Sequence, residues 1–317
     1  MKVSVYCLVF NHGKYLRSAL DGFIRQKVNF PFEVIVHDDC STDNSASIIK
    51  EYAIKYPNII RPIYQKENQY SKGINIKHTF IAPLVKGDYV AVCEGDDYWC
   101  DDLKLQKQVD FLDNHPEYIA CVHDTLQKNQ NDGASFRMLD FGEDRDITLE
   151  DILKGRCYHT SSVLYRTQMI FSCPPFYKAA KAFGDVPLAI DLALNGKIRY
   201  LNDVMSVYRH GTIGSWSYKN ECDLHSRVVS YTNYINMLIS VNEYTNYKYD
   251  ELIKNYIDKY DINRLSFEKN YSKLFTTKYI KIFKRLSSRE KLAIIYRTIF
   301  RNFYVLNLKN KRNGYEK

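Results

Sequence analysis

Long hydrophobic runs are missing from this chain: nowhere in 317 residues do the roughly 18 uninterrupted apolar residues of a spanning helix occur, which excludes a polytopic membrane enzyme. The first residues lead straight into an apolar strand with no apolar stretch behind a basic start, so no secretory signal is expected. Cysteine pairs are missing too. The eight cysteines (Cys7, Cys40, Cys93, Cys100, Cys121, Cys157, Cys173, Cys222) show no CxxC and no metal-finger spacing. Several lie in apolar strands, so reduced thiols are expected and a disulfide framework is not. Neither an internal repeat nor a low-complexity linker is visible. The stretch 241–248 is polar enough for a loop between helices.

What is present is enough apolar residue, 45%, for one large core or one core with an appendage. Charge is divided unevenly. Residues 221–317 hold 19 Lys and Arg against 10 Asp and Glu, and the remainder holds 26 against 27, so a near-neutral body carries a basic tail. That tail is also rich in tyrosine and phenylalanine.

The run Val3 to Phe10 reads as a buried strand closed by Asn11-His12-Gly13, and Tyr15 to Gln26 carries apolar residues at helical spacing. A second strand, Phe32 to Val36, runs into His37-Asp38-Asp39-Cys40-Ser41-Thr42-Asp43. A helix over 44–55 follows, with Ser41 to Asp43 as capping candidates. Such βαβα alternation predicts parallel strands with right-handed crossovers, and it sets both loops at one crevice. A third apolar run, Tyr89 to Cys93, ends in Glu94-Gly95-Asp96-Asp97-Tyr98-Trp99. Asp96 and Asp97 thus sit at a strand's carboxyl end, where open α/β sheets bind ligands. Adjacent carboxylates repel each other unless a cation or donors compensate, and an oxygen-rich pair suits Mg²⁺ or Mn²⁺ bridging to the phosphate oxygens of a diphosphate. A solvated acidic turn is the alternative.

These elements, together with Lys72-Gly73, His159-Thr160-Ser161-Ser162, Gly184-Asp185 and Val207-Tyr208-Arg209-His210, resemble the inverting nucleotide-sugar glycosyltransferases of family 2, bacterial surface polysaccharide type. The likeness spans residues 1 to about 220. It implies an α/β GT-A fold: a Rossmann-like, mostly parallel sheet with flanking helices, here followed by a C-terminal helical extension. Residues 1–110 would form the nucleotide-binding half, 111–220 the acceptor half, and 221–317 a basic, aromatic-rich helical region. A nucleotidyltransferase would also join a doubly wound sheet to paired carboxylates, but Asn11-His12-Gly13-Lys14 is too poor in glycine for its phosphate loop. A non-catalytic carbohydrate-binding or scaffold protein is the other alternative, opposed by the intact set Asp39, Asp97 and Asp185.

The resemblance also implies roles. Asp39 would accept a hydrogen bond from the nucleobase, with Phe10 against the ring or else in the core. Phe10 and Val9 lack the hydroxyl that family members often carry there. Lys72 would neutralise phosphate or stay solvated. Asp97 would hold Mn²⁺ or Mg²⁺, Asp96 would contact ribose or a metal-bound water, His210 would reach the metal, and Arg209 would serve the diphosphate. The family usually separates that arginine and histidine by one residue, whereas here they are adjacent. Asp185 matches the catalytic base and opens an apolar helix, where a plain cap is the alternative. On the acceptor side stand Trp99, as a sugar platform or core residue, and His159. Asp191 is expected to face solvent or pair with Lys197.

The implied activity is transfer of a sugar, UDP-sugar favoured, to a hydroxyl of a saccharide or lipid-linked saccharide, in the cytoplasm or peripherally on the inner face of the cell membrane. No nucleic-acid partner is expected. Apolar and basic positions between Lys278 and Val305 alternate at helical spacing, which suits an anionic membrane surface or packing on the catalytic domain or a second copy in a homo-oligomer.

Overall fold

A computed structural model describes residues 1–130, 132–155, 158–181, 185–211, 223–268 and 270–299. The chain divides into two compact units. The first comprises Met1–Asn129, Gly133–Ser172 and Ala189–Arg209; the second comprises Gln130–Asp132, Cys173–Leu188 and the chain from His210 onward.

In the first unit the three apolar runs become strands β1 (Val3–Val9), β2 (Phe32–Asp38) and β4 (Tyr89–Val92), and with β3 (Ile60–Tyr64) they join in the order β3-β2-β1-β4 by parallel ladders. Helix α1 (Leu16–Ile24) buries Leu16, Ala19, Leu20 and Phe23 on one side, as its spacing requires, and α2 (Ser45–Lys55) buries Ile48, Ile49 and Tyr52. Of the capping candidates Ser41 to Asp43, Asp43 serves α2, its Oδ1 accepting from the N–H of Ser45, the helix's first residue, at 2.9 Å. The N-cap itself is Asn44, without a side-chain cap bond, while Ser41 and Asp43 accept from the backbone of the neighbouring loop.

Beyond β4 the sheet turns antiparallel. It continues through β9 (Leu164–Arg166), β6 (Tyr118–Asn129), β10 (Lys197–His210) and β5 (Tyr98–Trp99), with β7 (Ser135–Arg137) on β6 and β8 (Arg145–Ile147) on β10. The sheet is therefore mixed. Helix α3 (Lys104–Asn114) buries Leu105, Val109 and Leu112. The short α4 (Leu149–Leu153) is closed by a capping box between Thr148 and Asp151.

The second unit contains α5 (Pro175–Ala180), the start of α6 (Asp185–Asn195), α7 (Leu224–Tyr244), α8 (Asp250–Glu268), α9 (Tyr271–Leu274), α10 (Thr277–Arg285) and α11 (Ser288–Ile299). Aromatic side chains supply much of its packing: Phe176 meets Tyr244 edge-on at 5.5 Å, and Tyr234 lies 4.2 Å from Tyr260. The polar stretch 241–248 is only partly a loop, because α7 runs on to Tyr244 and the turn is made by Asn246 and Tyr247 at positive φ. Asp191 corrects its expectation. It is fully buried and accepts from the Asn195 amide at 3.0 Å, while Lys197 lies over the Tyr118 ring. The apolar residues around it on α6 carry that face inward.

Cys7, Cys40, Cys93, Cys100, Cys121 and Cys173 are free; Cys157 and Cys222 lie outside the described residues, as do Gly184 and the tail from 300 onward.

Candidate active site

The carboxyl ends of β1, β2 and β4 are tied together by backbone bonds from Asp39 N–H to Val9 O (2.9 Å) and from Gly95 N–H to Leu8 O (3.0 Å). Their loops are then cross-stitched by side chains. Ser41 Oγ accepts from Asn11 N–H, Ser45 Oγ from His12 N–H and Asp43 Oδ2 from Gly13 N–H, while Asn11 Oδ1 accepts from Thr42 N–H at 2.7 Å. Loop backbone away from strands must find such partners, which is why this segment is dense in Ser, Asn and Asp. Asn11 and Cys40 adopt left-handed φ of 57° and 64°, turning each chain sharply at its strand's end. Gly95 is required by close approach: a Cβ there would lie 2.9 Å from His12 Nδ1 and 3.0 Å from Val9 Cγ2.

The turn after β4 gathers three carboxylates, Glu94, Asp96 and Asp97, with oxygens within 4.8 Å of one another. Asp97 is buried, and its Oδ1 accepts the Arg209 N–H at 2.8 Å. Burial, then the charges of Asp96 and Glu94, push its carboxyl well above the usual range despite that N–H. Asp96 Oδ1 is buried without a hydrogen-bond partner, 3.9 Å from His12 Nδ1. Three carboxylates graded from exposed Glu94 to buried Asp97, with one Asp96 oxygen unsatisfied, form an oxygen donor set that fits Mg²⁺ or Mn²⁺. Arg209 is held between aromatic rings, 4.5 Å from the Tyr98 centroid and 5.0 Å from that of Tyr15, and donates to Asp96 O.

The remaining sequence candidates are distributed as follows. Asp39 is buried, and its two oxygens accept from Gln69 N–H (2.8 Å) and Tyr70 N–H (3.0 Å), so it anchors the loop carrying Lys72. Lys72 pairs with Glu67 of that same loop. Phe10 lies just past β1 and is 44% exposed, which removes the core alternative and leaves its ring available.

Of the two readings of Trp99, the core residue holds and the sugar platform does not. Trp99 is fully buried, its indole N–H donates to Ser161 O at 2.9 Å, and its ring is covered by the Phe23 edge and the Lys104 ammonium, so it presents no face to a sugar. The close seat of α1 makes this possible, because Gly22 lies where a Cβ would come 2.9 Å from Trp99 O.

His159 is brought beside Asp97, with Nε2 3.6 Å from Oδ2 and the ring stacked on Tyr208 at 4.4 Å. Burial pushes its pKa down to about 4, so the ring is neutral at pH 7. Asp185 is the first residue of α6, in the second unit; its Oδ1 accepts from Val186 N–H at 2.9 Å, and burial raises its pKa. His210 ends β10, also in the second unit.

Sequence reasoning missed the parts played by Glu94, His12, Tyr15, Tyr98 and Tyr208. Glu94 had a local signal, since a tight turn through Gly95 returns carboxylates two and three residues on. Tyr15 and Tyr98 had none, because their partner Arg209 is distant in the chain.

A mixed sheet with a carboxylate cluster at its parallel strand ends fits the GT-A fold. The sequence profile of glycosyl transferase family 2 matches residues 4–176, more than half of the chain, and the chain belongs to that family. An uncharacterized protein of Mycobacterium tuberculosis is 37% identical over 214 residues, 68% of this chain and 60% of its own length. An uncharacterized glycosyltransferase of Nostoc is 27% identical over 218 residues, 67% of this chain and 66% of its own. Among solved structures, S. aureus TarS 1-349 in complex with UDP-GlcNAc is similar with a TM-score of 0.60 at 18% identity, covering 100% of this chain and 91% of that one. The mannosyltransferase PcManGT from Pyrobaculum calidifontis, in complex with GDP-Man and Mn²⁺, gives 0.56 at 12% identity, covering 99% and 85%. These two likenesses establish the fold.

Proposed function

We propose that this protein is an inverting, metal-dependent glycosyltransferase that moves a sugar from a nucleotide donor, UDP-sugar favoured, to a hydroxyl of a saccharide or lipid-linked saccharide in bacterial surface polysaccharide assembly. The observation that carries the reading is the Glu94, Asp96 and Asp97 cluster at the tips of β1 and β4, with Arg209 fixed against it. Family membership and the donors named for the two similar structures support the substrate class.

Phe10 offers its exposed ring to the base. Asp39 keeps acceptor capacity beyond the two N–H groups it already holds, since a carboxylate offers about four lone-pair sites, enough for the N3–H of uracil. Lys72 would have to leave Glu67 to reach a phosphate. Asp97 and Asp96 would hold Mn²⁺ or Mg²⁺, with His210 as a further ligand candidate; when bound, the cation supplies positive charge to the departing diphosphate. Arg209 orients the same group from its aromatic clamp. Asp185, assigned from its family position, takes the proton of the acceptor hydroxyl as that oxygen attacks the anomeric carbon from the face opposite the diphosphate.

A panel of nucleotide sugars assayed for nucleoside diphosphate release tests this reading. Release with at least one donor should stop on chelation, return with Mn²⁺ or Mg²⁺ and be lost in Asp97→Asn with folding intact. Full activity of that variant in excess chelator would overturn the metal assignment.

A further inference from the structure

The second unit ends, among the described residues, in a helical hairpin whose inner and outer faces differ sharply. Ile282 and Leu286, from α10 and the turn after it, and Ile294 of α11 pack with Ile262 of α8 into one small buried cluster. The faces turned away from that cluster are of two kinds. On α10 they carry the exposed bases Lys281, Lys284 and Arg285. On α11 they carry Leu292, Ile295 and Tyr296, with Leu292 66% exposed. Between residues 270 and 299 eight Lys and Arg face a single acid, Glu290, which is occupied by Ser287 and Lys259.

We propose that this outer face of the α10–α11 hairpin docks on an anionic lipid bilayer, the α11 apolar residues entering the headgroup boundary and the α10 bases lying among lipid phosphates. The chemistry separates this occupant from two others. A symmetric pairing with a second copy would set like charges against like, since the same patch faces itself across a two-fold axis. A nucleic acid would use the bases but leave Leu292 and Ile295 in water, whereas an interface that is both apolar and anionic satisfies both. The proposal extends the lipid-linked acceptor of the preceding reading, and lipid binding without turnover tests it separately.

The full chain is co-sedimented with vesicles of phosphatidylglycerol and phosphatidylcholine, and with phosphatidylcholine alone, at low and high salt. Binding should require the anionic lipid and weaken with salt. Each base near the surface is worth about fivefold in partition, so Lys281→Gln/Lys284→Gln/Arg285→Gln should weaken it on the order of 100-fold. Leu292→Ser/Ile295→Ser should weaken it too, although its charge is unchanged. All changed positions are exposed, and thermal melts confirm that both variants fold. A full chain that ignores anionic vesicles at low salt overturns the proposal. So does binding untouched by Leu292→Ser/Ile295→Ser, which would mark a general polyanion surface, or a dimer in sedimentation velocity that this variant dissolves without any vesicle binding.

Discussion

Asp97 derives its character from its two neighbours. One oxygen is fixed by the Arg209 N–H, and the other faces His159 Nε2 at 3.6 Å. His159 Nδ1 lies 2.8 Å from Ser161 Oγ and 3.3 Å from the Ser161 backbone nitrogen, so Ser161 fixes the ring with Nε2 turned toward Asp97. If Asp97 holds a cation as proposed, His159 is placed to position the carboxylate. Removing such a partner typically costs about 10- to 100-fold in metal affinity, so His159→Ala should weaken Mn²⁺ binding on that scale. His159→Gln, whose amide can donate to the carboxylate, should recover part of it. Titration of free Mn²⁺ by electron paramagnetic resonance in the presence of UDP measures this, and equal affinity in all three proteins would demote His159 to a packing role. Asp185 carries a second prediction. Asp185→Asn should lose about 10²- to 10⁴-fold in transfer while keeping nucleoside diphosphate affinity. Because burial raises its pKa, and a base must be ionised to act, the acid limb of kcat/KM should lie above the ordinary carboxylate value of about 4. A limb unchanged in the Asn variant would leave Asp185 as a helix cap.

The strands beside the site are braced by a buried carboxylate, Asp124. Asp124 on β6 is fully buried and accepts from Thr125, Leu139 and Asp140 N–H and from Arg137 Nε at 2.7 Å, while Arg137 reaches Asn202 of β10. Burial alone would raise its pKa, but these donors outweigh burial and hold it below the usual range. A depressed carboxylate contributes stability above its unfolded pKa of about 3.9 and loses it as pH falls through the lower folded value. Asp124→Asn should therefore cost about 2–3 kcal/mol at neutral pH, with the gap to wild type closing in acid. Urea melts at several pH values check this; a gap that does not change with pH would contradict it.

Such bracing also marks the limit of what the sequence discloses. β1, β2, β4, α1 and α2 were legible because each is a short apolar run or a helical stripe bounded by Gly, Asn or Asp, and the loops between them hold the carboxylates in the same local stretch. The antiparallel return was not. β5 is two residues long and pairs with Ser206 and Val207, more than a hundred positions away, and that pairing is what buries Trp99. The approach of His159 to Asp97 and the clamping of Arg209 by Tyr15 and Tyr98 have the same long-range origin. Asp191 was misplaced because one polar residue on an apolar helix reads as solvent-facing until its Asn195 partner is seen.

At the scale of the molecule, charge follows the division of the chain. Residues 1–220 are close to neutral, and 221–317 carry an excess of nine positive charges by the same count of 19 against 10. The acidic cluster of the first unit suits a cation, and the excess of Lys and Arg in 221–317 suits an anionic surface. The central claim is inverting transfer from a nucleotide sugar, and proton NMR of the sugar released during slow donor hydrolysis tests it most directly. With an α-linked UDP-sugar and Mn²⁺, the β-anomer should appear first and the α-anomer only later, by mutarotation. First appearance of the α-anomer would contradict inversion, and no release from any donor would contradict the reading of the site itself.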